Sequence, residues 1–167
     1  MSANGYDIRL AKHSDLPQIV EIYNHYVVNT HFTFDIDPFT VATRSGWWAQ
    51  FNNKRCQCWV ITDGTLGGYA CSTPFKSKRA YESSVEVSVY LDIRSVGHGL
   101  GRQLYERLFT GLTRQDVHRA YAGIALPNEP SVKFHERFGF NQVATFHEVG
   151  RKFDRYWDVA WYERSCE

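Results

Sequence analysis

Val85-Glu86-Val87-Ser88-Val89-Tyr90-Leu91, a short loop, then Gly97-His98-Gly99-Leu100-Gly101 opening an amphipathic run to Phe109, is the stretch on which the fold turns. Val85, Val87, Val89 and Leu91 alternate with Glu86, Ser88 and Tyr90, the period-two pattern of a strand with one buried face. Leu100, Leu104, Leu108 and Leu112 then recur every four residues, as one face of a helix requires. Strand, glycine turn and helix therefore follow in order. Such a turn presents helix amides that lack an intrahelical partner, together with the positive end of the helix dipole, and a phosphate fits there. The glycines let the backbone approach it closely. Two common phosphate motifs fail. A Walker A loop needs Gly-Lys-Ser/Thr, but Gly101 is followed by Arg102 and Gln103,. A dinucleotide fingerprint needs a third glycine where Arg102 or Leu104 stands.

A second constellation lies at Pro127-Asn128-Glu129-Pro130-Ser131, which opens a short helical run ending at Phe138-Gly139-Phe140. Asn128 suits an N-cap, Pro130 a first turn and Gly139 a left-handed stop. Helical spacing puts Asn128, Ser131 and His135 on one side and Phe134 and Phe138 on an adjacent apolar stripe. The polar side is expected to face something other than the core.

Tyr90-Leu91, the Gly97 to Gly101 turn and Leu104 resemble the pyrophosphate arm of the GNAT acetyltransferases. The family pattern is Gln/Arg-x-x-Gly-x-Gly/Ala, and the register set by Gly99 and Gly101 departs from it by placing Val96 first. A second register, Arg94-x-x-Gly97-x-Gly99, restores the arginine but moves the helix start by two residues; the first is preferred. Asn-x-x-Ser-x-x-x-His-x-x-x-Gly-Phe resembles the last GNAT helix, and His135, where many members carry tyrosine, is typical of the phosphinothricin acetyltransferase branch. The resemblance runs from Ile8 to Trp161, through Glu21 to His25, Thr33-Phe34, Gly68-Tyr69-Ala70, Val85-Glu86 and the closing Gly150-x-Lys152-Phe153 with Trp157 and Asp158.

What the resemblance implies is specific. The fold is α/β (α+β), a mixed, splayed sheet of about seven strands flanked by about four helices, with the cofactor in the gap. Acetyl-CoA is the cosubstrate and no metal takes part. Gly97, His98, Gly99, Leu100, Gly101 and Arg102 hold the pyrophosphate, Val89, Tyr90 and Leu91 the thioester end, and Asn128 and Ser131 lie beside the cofactor. Acceptors are amino-acid analogues such as phosphinothricin, methionine sulfoximine and methionine sulfone, and the protein is a homodimer, with the aromatics around Trp157 and Trp161 a candidate contact.

Composition agrees. A chain of 167 residues, 43% hydrophobic and 22% charged, suits one cored domain over 1–167,. A formal net charge of +1 and no basic stripe speak against nucleic acid or an anionic membrane as partner,. No apolar run reaches the length of a membrane span and Met1 to Leu10 has no secretory core, so a cytoplasmic protein is expected. Cys56, Cys58, Cys71 and Cys166 lack the paired spacing of zinc or redox motifs and are read as inert thiols.

Along the chain, Tyr6 to Ala11 reads as a first strand and Ser14 as the cap of a helix with Leu16, Ile19, Tyr23, Tyr26 and Val27 on one face. Phe32 to Phe39 reads as an aromatic loop and Thr40 to Phe51 as a second helix. Gln57 to Thr62 and Leu66 to Thr73 form a hairpin. Further strands are expected at Tyr121 to Ala125, Gln142 to Glu148 and Tyr156 to Tyr162.

Acetyl transfer to an amine needs a lone pair, so something must take the ammonium proton. Glu86 is the best placed carboxylate, lying mid-strand among valines where an ionised group is costly without work or a partner. The resemblance makes it the base. Backbone amides near Val89 to Leu91 would hold the developing oxyanion, and His135 would serve the departing thiolate. Phe34, Phe75, Lys76, Lys78, Arg79 and Tyr81 are the candidates for binding a small zwitterionic amine, the cations pairing with its acidic group. Two other readings stay open: a protein or peptide N-acetyltransferase, and a CoA-binding module without catalysis.

Overall fold

The computed structural model describes residues 5–166. Seven strands are present: β1 (Asp7–Leu10), β2 (Cys58–Thr62), β3 (Leu66–Pro74), β4 (Ser84–Leu91), β5 (Arg119–Ala125), β6 (Asn141–Lys152) and β7 (Arg155–Ser165). Four α-helices accompany them: α1 (Leu16–Asn29), α2 (Ser45–Trp48), α3 (Leu100–Leu112) and α4 (Glu129–Arg137). The strands make one mixed sheet in the order β1-β2-β3-β4-β5-β7-β6. Only β4 and β5 are parallel, because the α3 crossover between them returns the chain to the same end of the sheet,.

The β4–β5 ladder is short. It pairs Ser84, Val85 and Glu86 with Arg119, Ala120 and Tyr121. The ladder from β4 to β3 runs on to Leu91 opposite Gly68, and that from β5 to β7 to Ala125 opposite Val159. The sheet therefore splays after Glu86, and the β4 edge from Val87 to Leu91 faces a gap.

Both faces of the sheet are covered. Leu100, Leu104, Leu108 and Leu112 of α3 are at most 1% exposed and pack with Val85, Val87, Ala120, Ala122 and Ile124. On the other face Ile19 and Ile22 of α1 pack on Cys58, Val60, Tyr69 and Cys71. Truncating one such leucine to alanine costs about 2–5 kcal/mol. Because α1 covers the second face, Glu86, Ser88 and Tyr90 are half-buried rather than solvated.

Several local expectations are corrected. The N-cap position of α1 is Asp15, not Ser14, and its side chain makes no cap bond to the helix; the buried carboxylate accepts instead from the Lys12 amide (2.7 Å) and from Arg9 (2.7 and 2.9 Å). The helix expected over Thr40 to Phe51 shrinks to Ser45–Trp48. Thr40 and Thr43 exchange hydroxyl-to-amide hydrogen bonds (Thr43 N to Thr40 Oγ1, 3.1 Å; Thr40 N to Thr43 Oγ1, 2.9 Å), which compete with helical pairing,. Strands β5, β6 and β7 are longer than their patterns suggested. The β6–β7 ribbon closes on Phe153 and Asp154, both left-handed, and bulges between Phe146 and Gly150, where Asp158 accepts from the Glu148 amide at 2.7 Å. Gly150 is required because the Phe34 ring occupies the place of a Cβ. Among the described residues no helix is long and apolar enough to cross a membrane.

Candidate active site

Two openings meet at the splay of the sheet. The first is the turn before α3. Gly97 and Gly99 have φ of 87° and 74°, and Gly99 is the N-cap of a helix that starts at Leu100. The first intrahelical donor there is Gln103, to the Gly99 carbonyl at 3.3 Å, so the amides of Leu100, Gly101 and Arg102 precede it without helical partners,. A Cβ added at Gly97 or Gly99 would meet nothing within 4 Å. Open space beside Gly97 and Gly99 thus adjoins free amides at a positive helix end, an arrangement that could hold a pyrophosphate. Val96 and His98 are exposed, and Arg102 is paired with Glu106 at 2.7 Å. Arg94, the arginine of the second register, is tied to Asp92 at 2.7 Å. Gly101 and Leu100 do another job with their side-chain positions. A Cβ on Gly101 would lie 3.6 Å from Phe134 and 3.7 Å from Leu91, and the Leu100 side chain is in the core.

The second opening is a cavity of about 350 Å³ on the α1 face. Its floor carries Glu86, Ser88 and Tyr90 of β4 beside Tyr69 and Cys71 of β3, and its roof carries Tyr23, Thr33, Phe34 and Arg44. Gly123 and Ala125 keep the β5 side low, and a Cβ added at Gly123 would meet the Trp161 ring at 3.3 Å. The roof loop is clipped in place. Tyr23 donates to Asp35 Oδ2 at 2.5 Å and bonds Thr33 Oγ1, while the buried Lys152 donates to the Thr33 carbonyl at 2.8 Å. Burial, with the Asp35 carboxylate next, pushes the Tyr23 hydroxyl up to about 12, so it stays a donor.

Glu86 faces this cavity, and among the described residues no side chain or amide donates a hydrogen bond to its carboxylate. Burial pushes its pKa up, and Lys76 offsets part of that rise. The result is a desolvated carboxylate with an appetite for a proton. Cys71 stands beside it with its thiol pushed up to about 12 by burial, which removes it as a thiolate nucleophile,.

The expectation for His135 is corrected. Its ring is 4% exposed and faces the core between α3 and α4, not away from it. Nδ1 lies 2.8 Å from the Ser131 carbonyl, which only accepts, so Nδ1 carries the proton,. Nε2 therefore accepts from the Tyr105 hydroxyl at 3.0 Å. Burial lowers the imidazole pKa. A neutral ring with both nitrogens engaged holds α4 against α3, and it has no spare N–H for a leaving sulfur. Phe134 and Phe138 share this interior, packing on Tyr105 in tilted and edge-on contacts. Asn128 caps α4, its Oδ1 accepting from the Ser131 amide at 3.3 Å, and it lines a second cavity of about 510 Å³ with Trp157.

Of the residues expected at the acceptor site, Phe34 lines the cavity, and Phe75 stacks on Tyr121 (4.3 Å) and meets Trp161 edge-on behind it. Lys76 is close enough to act on Glu86. Lys78, Arg79 and Tyr81 are not brought there: they are exposed on a 3-10 turn, and Arg79 leans toward Glu82 at 3.9 Å. Arg44, Tyr23 and Trp47 are not among the expected site residues, although Arg44 and Trp47 at helical spacing from each other are a readable pair. Val89, Tyr90 and Leu91 lie on the open β4 edge; the Leu91 carbonyl accepts from Tyr26 at 2.7 Å. Trp157 and Trp161 turn inward, Trp157 stacking on His31 at 3.9 Å. No group of side chains among the described residues could hold a metal ion.

Residues 8–161 match the model of the acetyltransferase (GNAT) domain. A phosphinothricin N-acetyltransferase of Streptomyces coelicolor is 48% identical over 161 residues, 94% of each chain. An L-methionine sulfoximine/L-methionine sulfone acetyltransferase of Pseudomonas aeruginosa is 32% identical over 162 residues, covering 96% of this chain and 94% of that one. Among solved structures, yncA of Salmonella typhimurium with its cofactor acetyl-CoA superposes with a TM-score of 0.92 at 31% identity, covering 98% of this chain and 95% of that one.

Proposed function

This chain belongs to the GNAT acetyltransferase family and is an acetyl-CoA-dependent N-acetyltransferase, and from that membership we propose that it acetylates the primary amine of a small amino-acid-like acceptor, with Glu86 as the base. The observation that carries the reading is Glu86 itself, a half-buried carboxylate with no hydrogen-bond partner among the described residues, facing a cavity beside the splay. Bound acetyl-CoA supplies the activated acetyl group. The free amides from Leu100 to Arg102 hold its pyrophosphate, and the unpaired β4 edge from Val87 to Leu91 receives the thioester end.

Glu86 takes one proton from the acceptor ammonium and frees the nitrogen lone pair. The nitrogen then forms a C–N bond to the thioester carbon, and amides of the β4 edge stabilise the oxyanion of that adduct. Its collapse breaks the C–S bond while the nitrogen gives its second proton to solvent. The leaving thiolate takes its proton from solvent, because His135 is engaged on both nitrogens. Transfer is direct, since Cys71 is held as a thiol. A cavity of about 350 Å³ suits a single amino acid better than an extended peptide,.

Residues 1–167 act as one cytoplasmic domain in this proposal, and two copies form a homodimer. Its contact moves from Trp157 and Trp161 to the exposed apolar side chains of the same ribbon, Val143, Phe146, Val149, Phe153 and Tyr156; a monomeric mass by light scattering refutes that. The activity test is thiol release from acetyl-CoA with a panel of amino acids, amines and peptides. Release with phosphinothricin or methionine sulfone supports the reading, and peptide acetylation with inert amino acids refutes it.

A further inference from the structure

We propose that Arg44 reads the far end of the acceptor side chain, so that the pocket selects amines bearing an anionic or strongly polar oxygen group there. The inference rests on the small-acceptor reading above and adds to it a specificity residue and a direction of binding. Arg44 is the only cation among the described residues that line the Glu86 cavity. Its guanidinium carbon lies 4.2 Å from the Tyr23 ring centroid, 4.4 Å from Phe39 and 4.7 Å from Trp47. Its side chain is only 12% exposed, yet no described residue accepts a hydrogen bond from it. The nearest carboxylate, Asp35, stands 3.9 Å away and already accepts from Tyr23.

Ring faces fix the plane of a guanidinium and leave its in-plane N–H groups free. No nitrogen of Arg44 is both sealed from solvent and unbonded, and Arg44 lines the cavity, so its donors are accessible to a ligand there. An anion or a strongly polarised oxygen is the chemistry that matches a fork of this kind.

The sheet register sets the direction. Tyr69 pairs with Tyr90, Cys71 with Ser88 and Thr73 with Glu86, giving three successive rungs under the cavity. Arg44 sits over the first: Tyr23 packs on Tyr90 at 5.0 Å and Trp47 on Tyr69 at 6.0 Å. Glu86 stands on the third. Four residues of strand, about 13 Å, separate the Tyr90 and Glu86 backbone positions, and Arg44 and Glu86 line the cavity toward those two ends. With the amine at Glu86, the end of the acceptor side chain rather than its α-carboxylate lies on the Arg44 side. Lys76, over the Phe75 ring at 5.1 Å near the Glu86 end, is left for the α-carboxylate.

The test compares wild type, Arg44→Gln and Arg44→Lys in thiol release with phosphinothricin, methionine sulfone and norleucine, with acetyl-CoA affinity as the check on folding. In wild type, kcat/KM should fall in that order. In Arg44→Gln the phosphinothricin-to-norleucine ratio should collapse by about 30- to 100-fold, mainly through KM, with Arg44→Lys keeping part of it. An unchanged ratio, even with all three acceptors slowed, makes Arg44 a strut of the aromatic roof and overturns the inference while the small-acceptor reading stands. A wild type inert toward all three but active on peptides overturns both.

Discussion

Removing one oxygen atom separates a structural role from a chemical one at the α3–α4 contact. Tyr105 is 0% exposed, and its hydroxyl donates to His135 Nε2 at 3.0 Å. Tyr105→Phe keeps the ring contacts with Phe109, Phe134 and Phe138 and deletes only that donor. The loss is one buried hydrogen bond plus an unsatisfied Nε2, together about 1–3 kcal/mol. For a chain of this length each kcal/mol lowers Tm by about 2–4 °C, so a drop of about 2–12 °C is expected by calorimetry. Steady-state thiol release should show kcat within about threefold of wild type, below the 10²-fold minimum usual for a lost acid or base. A kcat reduced 100-fold or more at unchanged Tm would refute this reasoning and make Tyr105 and His135 a proton path to the leaving sulfur.

Gly99→Ala and Gly101→Ala should move in opposite directions. The first forces a Cβ into the left-handed region and costs about 1–2 kcal/mol, the second improves helix propensity by up to about 1 kcal/mol, and only the first should weaken acetyl-CoA in titration calorimetry. Equal effects on affinity would show that the turn is not the phosphate cradle. Buried His135 titrates below its unfolded value, so its contribution is complete above about pH 6.5 and is lost as pH falls through the lower folded pKa,. Urea melts at pH 7.5 and 5.5 should show that loss in wild type and a smaller one in His135→Gln; Asp15, whose carboxyl is held low by Arg9, enters only at more acid pH.

The strand, turn and α3 were legible because each rests on local rules: alternation in β4, leucines every four residues, and Gly99 at a left-handed cap. The caps of α4 were readable for the same reason, with Asn128 at its start and Gly139 at its end. What failed depended on distant partners. Nothing near His135 in sequence shows that Tyr105, thirty residues earlier, waits for its Nε2. Lys78 and Arg79 precede β4, but the chain spends them on an exposed turn. Arg44 gains its meaning from Tyr23 and Phe39, which reach it only after α1 and the loop fold over the sheet. The short α2 was overestimated because threonine hydroxyls took the amides that a longer helix would use.

Glu86→Gln bears most directly on the proposed chemistry, because activity and stability should part company. Burial raises the Glu86 pKa, so its favourable contribution is complete below the unfolded carboxylate value and is lost as pH rises through the folded one,. At pH 7 the ionised group therefore weakens the fold, and the neutral amide should hold or raise Tm. In the same protein kcat should fall by roughly 10²- to 10⁴-fold, with acetyl-CoA affinity kept and the acid limb of the pH profile gone. Wild-type kcat in Glu86→Gln across neutral pH would contradict the assignment of Glu86 as the base.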